Sequence, residues 1–153
     1  MSRIDDRLAE LGITLPDPVA PVANYVPYVK SGNLVFISGQ VSIGADGLIT
    51  GKVGEDLSIE DGVNAAKACG ISLIAQLKNA CDGDLDRVVR VIKLGGFVNC
   101  RENFTDQPKI VNGTSDLMVD VFGDAGRHAR AAVGAPALPL NAAVEVDGVF
   151  EIK

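Results

Sequence analysis

The chain has 153 residues, 47% of them apolar, which is enough for one domain with a substantial core and too many for a disordered segment. A net charge of −6, from 20 acidic and 14 basic residues, opposes nonspecific association with phosphate backbones, so no nucleic-acid partner is expected. No apolar run reaches membrane-spanning length and the N-terminus is charged, not signal-like, so a cytoplasmic protein without a membrane partner is expected.

Ser2, followed by Asp5 and Asp6 and then Leu8 and Leu11, predicts a capped amphipathic helix ending at Gly12. Three prolines between Pro16 and Pro21 make an extended connector, so residues 1–20 read as a helical extension to a single domain over 1–153. Strands are predicted over Tyr25–Lys30 and Leu34–Ser38, joined by a tight turn at Ser31-Gly32-Asn33. A shorter third strand is predicted at Leu48–Lys52, after the turn Ala45-Asp46-Gly47.

Ser58, with Glu60 and Asp61, opens the strongest helix. Val63, Ala66, Gly70, Leu73, Leu77 and Ala80 form its apolar stripe, and Asp82-Gly83-Asp84 stops it. Residues 87–98 carry apolar side chains on both parities, Val89, Val91 and Phe97 on one and Val88, Ile92, Leu94 and Val98 on the other. That is the pattern of a strand buried on both faces, with Gly95-Gly96 as a bulge or close backbone approach. A second helix is predicted from Pro108 or Lys109 to Phe122, with Ile110, Leu117, Met118 and Val121 inward.

The chain closes with a short apolar strand, a Pro-bounded turn from Pro136 to Asn141, and a last strand in which Val144, Val146, Gly148, Phe150 and Ile152 share one face. Glu145 falls on the other face, away from the helix-packed core. The resulting order is β-β-β-α-β-α-β-β, an α+β fold with a mixed sheet and two helices on one face. Two helices cover only one face, so the other needs a partner, and self-association is the expected answer.

Little catalytic machinery is available. His128 is the one histidine, so there is no cluster for metal binding or paired acid/base work. It either faces solvent or lines a site near Arg130. No phosphate-cradling Gly-x-x-x-x-Gly-Lys-Ser/Thr loop occurs, and no Cys–His or Ser–His–Asp arrangement can be argued. Three cysteines, Cys69, Cys81 and Cys100, at irregular spacing read as reduced thiols rather than as a disulfide frame or zinc site. What remains is Arg130 opening the penultimate strand and Glu145 interrupting the last. They are either ordinary surface charges or, for Arg130, a clamp for a partner's carboxylate, since a guanidinium offers a fixed two-pronged fork.

Arg130-Ala131-Ala132-Val133, then Leu138-Pro139, then Val144-Glu145-Val146 resembles the C-terminal signature of the RidA/YjgF family of enamine/imine deaminases. Pro27-Tyr28-Val29 with Val35-Phe36-Ile37-Ser38-Gly39-Gln40 is similar to that family's opening hairpin, and Val111-Asn112 to its Val-Asn. The match runs over about residues 20–152. The resemblance implies a chorismate-mutase-like (YjgF) fold, a homotrimer with clefts between subunits, and hydrolysis of imines or enamines of 2-amino/2-keto acids to keto acid and ammonia. No cofactor or metal is implied.

On matching positions it implies that Arg130 grips the substrate carboxylate and that Glu145 holds and polarises the attacking water. It implies that Tyr28, Ser38, Gly39, Asn112 and Ala132 line the substrate site. From the residues alone, Tyr28 is equally an amphipathic hairpin side chain and Asn112 a helix-start residue. The sequence departs from the family at Ala132, where Cys or Ser is usual, and in a longer segment over 99–108. Two rival readings stay open, a non-catalytic module that binds small carboxylates and, last, an endoribonuclease.

Overall fold

The computed structural model describes residues 2–21 and 23–153; Met1, within the N-terminal extension, and Val22 lie outside them. Ser2 caps helix α1 (Arg3–Glu10), its hydroxyl accepting the Asp5 N–H at 3.0 Å while the Asp5 carboxylate accepts the Ser2 N–H at 3.2 Å. A cap of this kind is worth about 1 kcal/mol. Ile4 and Leu8 turn inward, and the Asp86 carboxylate accepts the N–H groups of Arg3 and Ile4 at 2.9 and 3.0 Å. Arg7 Nε donates to the Asp120 carbonyl at 2.8 Å, so the helix is docked on its neighbours.

Strands β1 (Tyr28–Ser31) and β2 (Leu34–Val41) form a hairpin whose turn places Gly32 at φ 60°. The expected third strand at Leu48–Lys52 is corrected to a small separate hairpin of β3 (Ile43–Gly44) and β4 (Gly47–Leu48). Gly47 and Gly51, at φ 109° and 120°, bend the chain out of extended geometry, and Thr50 makes only an isolated bridge to Ala142. Helix α2 (Ile59–Ala80) begins at a second capping box, Ser58 with Asp61. Strand β5 (Val88–Asn99), helix α3 (Gln107–Phe122), strand β6 (Ala129–Ala135) and strand β7 (Val144–Ile152) follow.

Among the described residues the main sheet has five strands in the order β1-β2-β7-β5-β6, with only β5 and β6 parallel. Helices α2 and α3 cover one face. They approach so closely that a Cβ on Gly113 would stand 2.1 Å from the Val63 carbonyl oxygen. Phe150, Leu73, Ile74, Leu77, Leu94 and Met118 are fully buried between the layers, each contributing roughly 1.5–3 kcal/mol of apolar burial. No described helix is long and apolar enough to cross a membrane.

Strand β7 alternates as its sequence predicts, with Val144, Val146, Gly148, Phe150 and Ile152 buried. Strand β5 does not. A register shift between Val91 and Lys93 brings Val91 and Leu94 together under the helices, and Val89 and Phe97 stay exposed. The strand is therefore buried on one face only within a single chain. On the open face lie Val29, Phe36, Phe97 and Val133, between 37% (Phe97) and 53% (Val29) exposed.

Candidate functional site

Arg130 sits on β6, the edge strand, in register with buried Leu94, which places its side chain on the helix-covered face. The first turns of α3 receive it. Nη1 donates to Asn112 Oδ1 at 2.8 Å and to Ser115 Oγ at 3.1 Å, and Nη2 donates to the Pro108 carbonyl at 3.4 Å. All three acceptors are neutral, and no ion pair involves Arg130 among the described residues. Among the described residues the Nε–H meets no acceptor, and Nη2, which carries two hydrogens, meets only the Pro108 carbonyl. The Nε–H and the neighbouring Nη2–H of a guanidinium point in parallel along one edge, the geometry that fits a carboxylate.

Ser115 leads on to His128, with its Oγ 2.8 Å from Nε2, while Nδ1 stands 2.6 Å from the Gly126 carbonyl. A carbonyl only accepts, so Nδ1 carries the hydrogen, and in the neutral ring Nε2 accepts the Ser115 O–H. The lone pairs of Ser115 then face Arg130. A directed chain runs from Arg130 through Ser115 and His128 to the backbone, and His128 is a half-buried member of it rather than a free loop residue. Sequence reasoning missed Ser115. Its signal was the spacing of Asn112 and Ser115, three apart and therefore on one helix face. Ala132, two residues along the same face of β6, is half-buried against the core and supplies no polar side-chain group.

Glu145 is paired with Phe97 on the opposite, open face of the sheet. Its carboxylate lies over Gly39, where an added Cβ would stand 2.4 Å from Oε2. Burial, and then the charge of Asp147 two residues along, raises the Glu145 carboxyl above its usual range. A cavity of about 610 Å³ opens here, lined by Ser38, Gly39, Glu145 and Leu140 and walled by Val19, Ala20, Pro21, Ala23 and Tyr25. Ser38 Oγ donates to the Val26 carbonyl at 2.8 Å, tying that wall to β2. Tyr28 is in register with buried Ile37, so it lies on the helix side and packs on the core; Tyr25 lines the cavity instead.

The structure thus gathers the expected site residues into two groups. Arg130, Asn112 and Ala132 stand on one face of the sheet, and Glu145, Ser38 and Gly39 on the other. The longer 99–108 segment reaches the Arg130 group through its last residue, Pro108, whose carbonyl accepts from Nη2. The segment's Arg101, Glu102 and Phe104 line a different cavity of about 660 Å³ with Lys52 and Glu55. Opposite charges balance there, and Lys52 Nζ is occupied by Asn99 Oδ1 at 2.9 Å and by the Pro136 carbonyl. Among the described residues no three His, Cys, Asp or Glu side chains gather as a metal site would need.

A family model described as "YjgF/chorismate mutase-like, putative endoribonuclease" matches residues 5–151, reaching into α1. Protein TCP17 of Trypanosoma cruzi is 47% identical, covering 99% of this chain and 95% of that protein. A mite protein from Dermatophagoides farinae named 2-iminobutanoate/2-iminopropanoate deaminase is 25% identical, over 92% of this chain and 95% of its own length. Among solved structures, Atu1372 of Agrobacterium tumefaciens, of unknown function, is 46% identical with a TM-score of 0.91, over 98% of this chain and 92% of that one. A Shewanella oneidensis MR-1 protein carrying the same endoribonuclease description is 35% identical with a TM-score of 0.93, over 97% and 99%. The YjgF gene product of E. coli shares the fold at 22% identity and a TM-score of 0.61, over 90% and 94%. The chain belongs to the YjgF/chorismate-mutase-like family.

Proposed function

We propose that this protein is a cytoplasmic deaminase that hydrolyses reactive imines and enamines of 2-amino/2-keto acids, in homotrimers whose sites lie between subunits. The reaction is R–C(=NH)–COO⁻ plus water to R–C(=O)–COO⁻ plus NH₃. The observation that carries the reading is the Arg130 fork, braced by three neutral acceptors and left with a parallel N–H edge. A small carboxylate is the ligand such an edge takes, and gripping it fixes the adjacent carbon for attack.

Glu145 supplies the second function. Water adds to the C=N carbon, forming the C–O bond, and collapse of the tetrahedral adduct breaks C–N. The two protons of the water end on nitrogen, which leaves as ammonia. Glu145 holds the water, accepts its proton and returns it to nitrogen, and a carboxyl raised by burial exchanges protons closer to neutral pH than an exposed one. An enamine first takes a proton on its β-carbon and gives one up from nitrogen, which makes it the imine.

Arg130 and Glu145 project from opposite faces of one sheet, so one small substrate meets both only if a second copy supplies one of them. The apolar open face and the unpaired edge of β6 supply surfaces for that assembly. The deaminase name of the mite relative supports the same reaction. Release of ammonia and keto acid from a freshly generated imine tests it: the wild type accelerates decay, and Arg130→Ala loses at least about 100-fold at an unchanged melting temperature.

Ala132 favours a second reading, in which the pocket binds a small carboxylate without turnover, because the position offers no side-chain hydrogen-bonding group. Keto acids would then raise the melting temperature of a protein that leaves imine decay unchanged.

A further inference from the structure

The cavity beside Glu145 is far larger and more apolar than an iminopropanoate methyl group needs. Resting on the deaminase reading, we propose that this cavity is the side-chain pocket of the site and selects imino acids with large apolar side chains, branched aliphatic or aromatic. It measures about 610 Å³, and Glu145 is the one Asp, Glu, Lys, Arg or His among its described lining residues. Val19, Tyr25, Ile43 and Leu140 provide its apolar walls. The Glu145 carboxyl marks where the reacting carbon stands. The substituent on that carbon other than the carboxylate therefore runs along these walls.

The wall formed by Val19, Ala20, Pro21, Ala23 and Tyr25 is held on two sides. The fully buried Gln76 of α2 donates from Nε2 to the Val19 carbonyl at 2.8 Å, and Ser38 holds the Val26 carbonyl on the other side. A tethered wall discriminates by shape where a loose strand of chain would adapt.

Leu140 adds an independent mark. It adopts φ 61° and ψ 17°, and Asn141 follows at φ 58°, the left-handed region that is unfavourable for any residue with a Cβ. At 64% Leu140 is the most exposed of the large apolar side chains among the described residues, and it stands at the rim of this cavity. An apolar group held in a costly conformation and left in water is accounted for by an apolar ligand that covers it.

The test compares imines generated in situ from alanine, leucine and phenylalanine by an amino-acid oxidase. The leucine- and phenylalanine-derived imines should exceed the alanine-derived one in kcat/KM by about tenfold or more, since each buried methylene is worth several-fold. Leu140→Gly relieves the positive φ and so keeps the melting temperature, yet it should shrink that preference several-fold; Tyr25→Ala should do the same for the phenylalanine-derived imine. Equal or reversed rates, with turnover still dependent on Arg130, would overturn the pocket and leave the deaminase reading standing. If no imine is turned over, that reading fails instead. The pocket is then judged by binding: a larger melting-temperature rise with 4-methyl-2-oxopentanoate than with pyruvate upholds it, and equal rises overturn it.

Discussion

On the proposed mechanism, Gly39→Ala should perturb the chemistry while leaving the fold almost untouched. An alanine Cβ at this position would lie 2.4 Å from Glu145 Oε2, 2.9 Å from its Cδ and 3.1 Å from its Cγ. Ordinary contact begins near 3.4 Å, so the carboxylate must retreat by about 1 Å. The cost to stability is small, because the neighbour is the free end of a flexible side chain. An off-rotamer Glu145 costs about 0.5–1.5 kcal/mol, and the loss of unfolded-chain entropy on replacing glycine offsets about 0.4–1 kcal/mol of it. Net stability should therefore change by less than about 1 kcal/mol. Catalysis should suffer far more, since a 1 Å misplacement of a reacting group costs on the order of 100-fold. The assay is kcat for imine hydrolysis beside a chemical-denaturation curve on the same preparation. Full activity in Gly39→Ala would refute the role given to Glu145, and so would an activity loss no larger than the loss of folded protein.

Other perturbations separate positioning from packing. Ser115→Ala removes the link between His128 and Arg130; KM for the imine should rise about tenfold, the worth of one hydrogen bond to a charged group, with a smaller change in kcat. Arg130→Lys should not restore activity in steady-state assays, because an ammonium cannot reproduce the parallel fork. Gly113→Ala should destabilise by about 2–3 kcal/mol in urea unfolding, since its Cβ meets backbone on α2 rather than a mobile side chain. The Glu145 carboxyl is raised by burial first and by Asp147 second, so the folded state holds the proton more tightly than the unfolded chain. Stability linked to this group is present below pH 4.5, its ordinary value, and is lost as pH rises through the raised value. Glu145→Gln should flatten that part of the pH–stability curve, whereas wild-type activity falls as the pH drops through the same window.

Much of the fold could be read directly from residue patterns. Ser2-x-x-Asp5 and Ser58-x-x-Asp61 announce two capped helices, and strict alternation from Val144 to Ile152 orients β7 and points Glu145 away from the core. The failures have local physical causes. The apolar character of residues 48–52 suggests a strand, but glycines at positive φ turn the chain before it can join the sheet. In β5 the bulge after Val91 reverses the inside-out alternation, and nothing in the composition of the strand announces where an extra residue is absorbed.

The candidate site residues could be named from the sequence, but their arrangement could not. The C-terminal motif singles out Arg130 and Glu145, but only the pairing of β6 with β5 and of β5 with β7 shows them on opposite faces. Tyr28 and Tyr25 differ in the same way. Three residues apart, one packs on the core and the other lines the cavity, because Tyr25 precedes the first ladder pair and is not bound by its alternation. The Arg130–Ser115–His128 chain joins a strand, a helix and a loop, which no short-range spacing reports.

Subunit mixing tests most directly whether Arg130 and Glu145 act together across two copies of the chain. Arg130→Ala and Glu145→Gln are each expected to be inactive alone, and the two are unfolded together at equal concentration and refolded. If every site takes its arginine from one subunit and its glutamate from the next, about one site in four regains both, so about a quarter of wild-type activity should return. No recovered turnover from well-folded mixed oligomers would contradict the shared site.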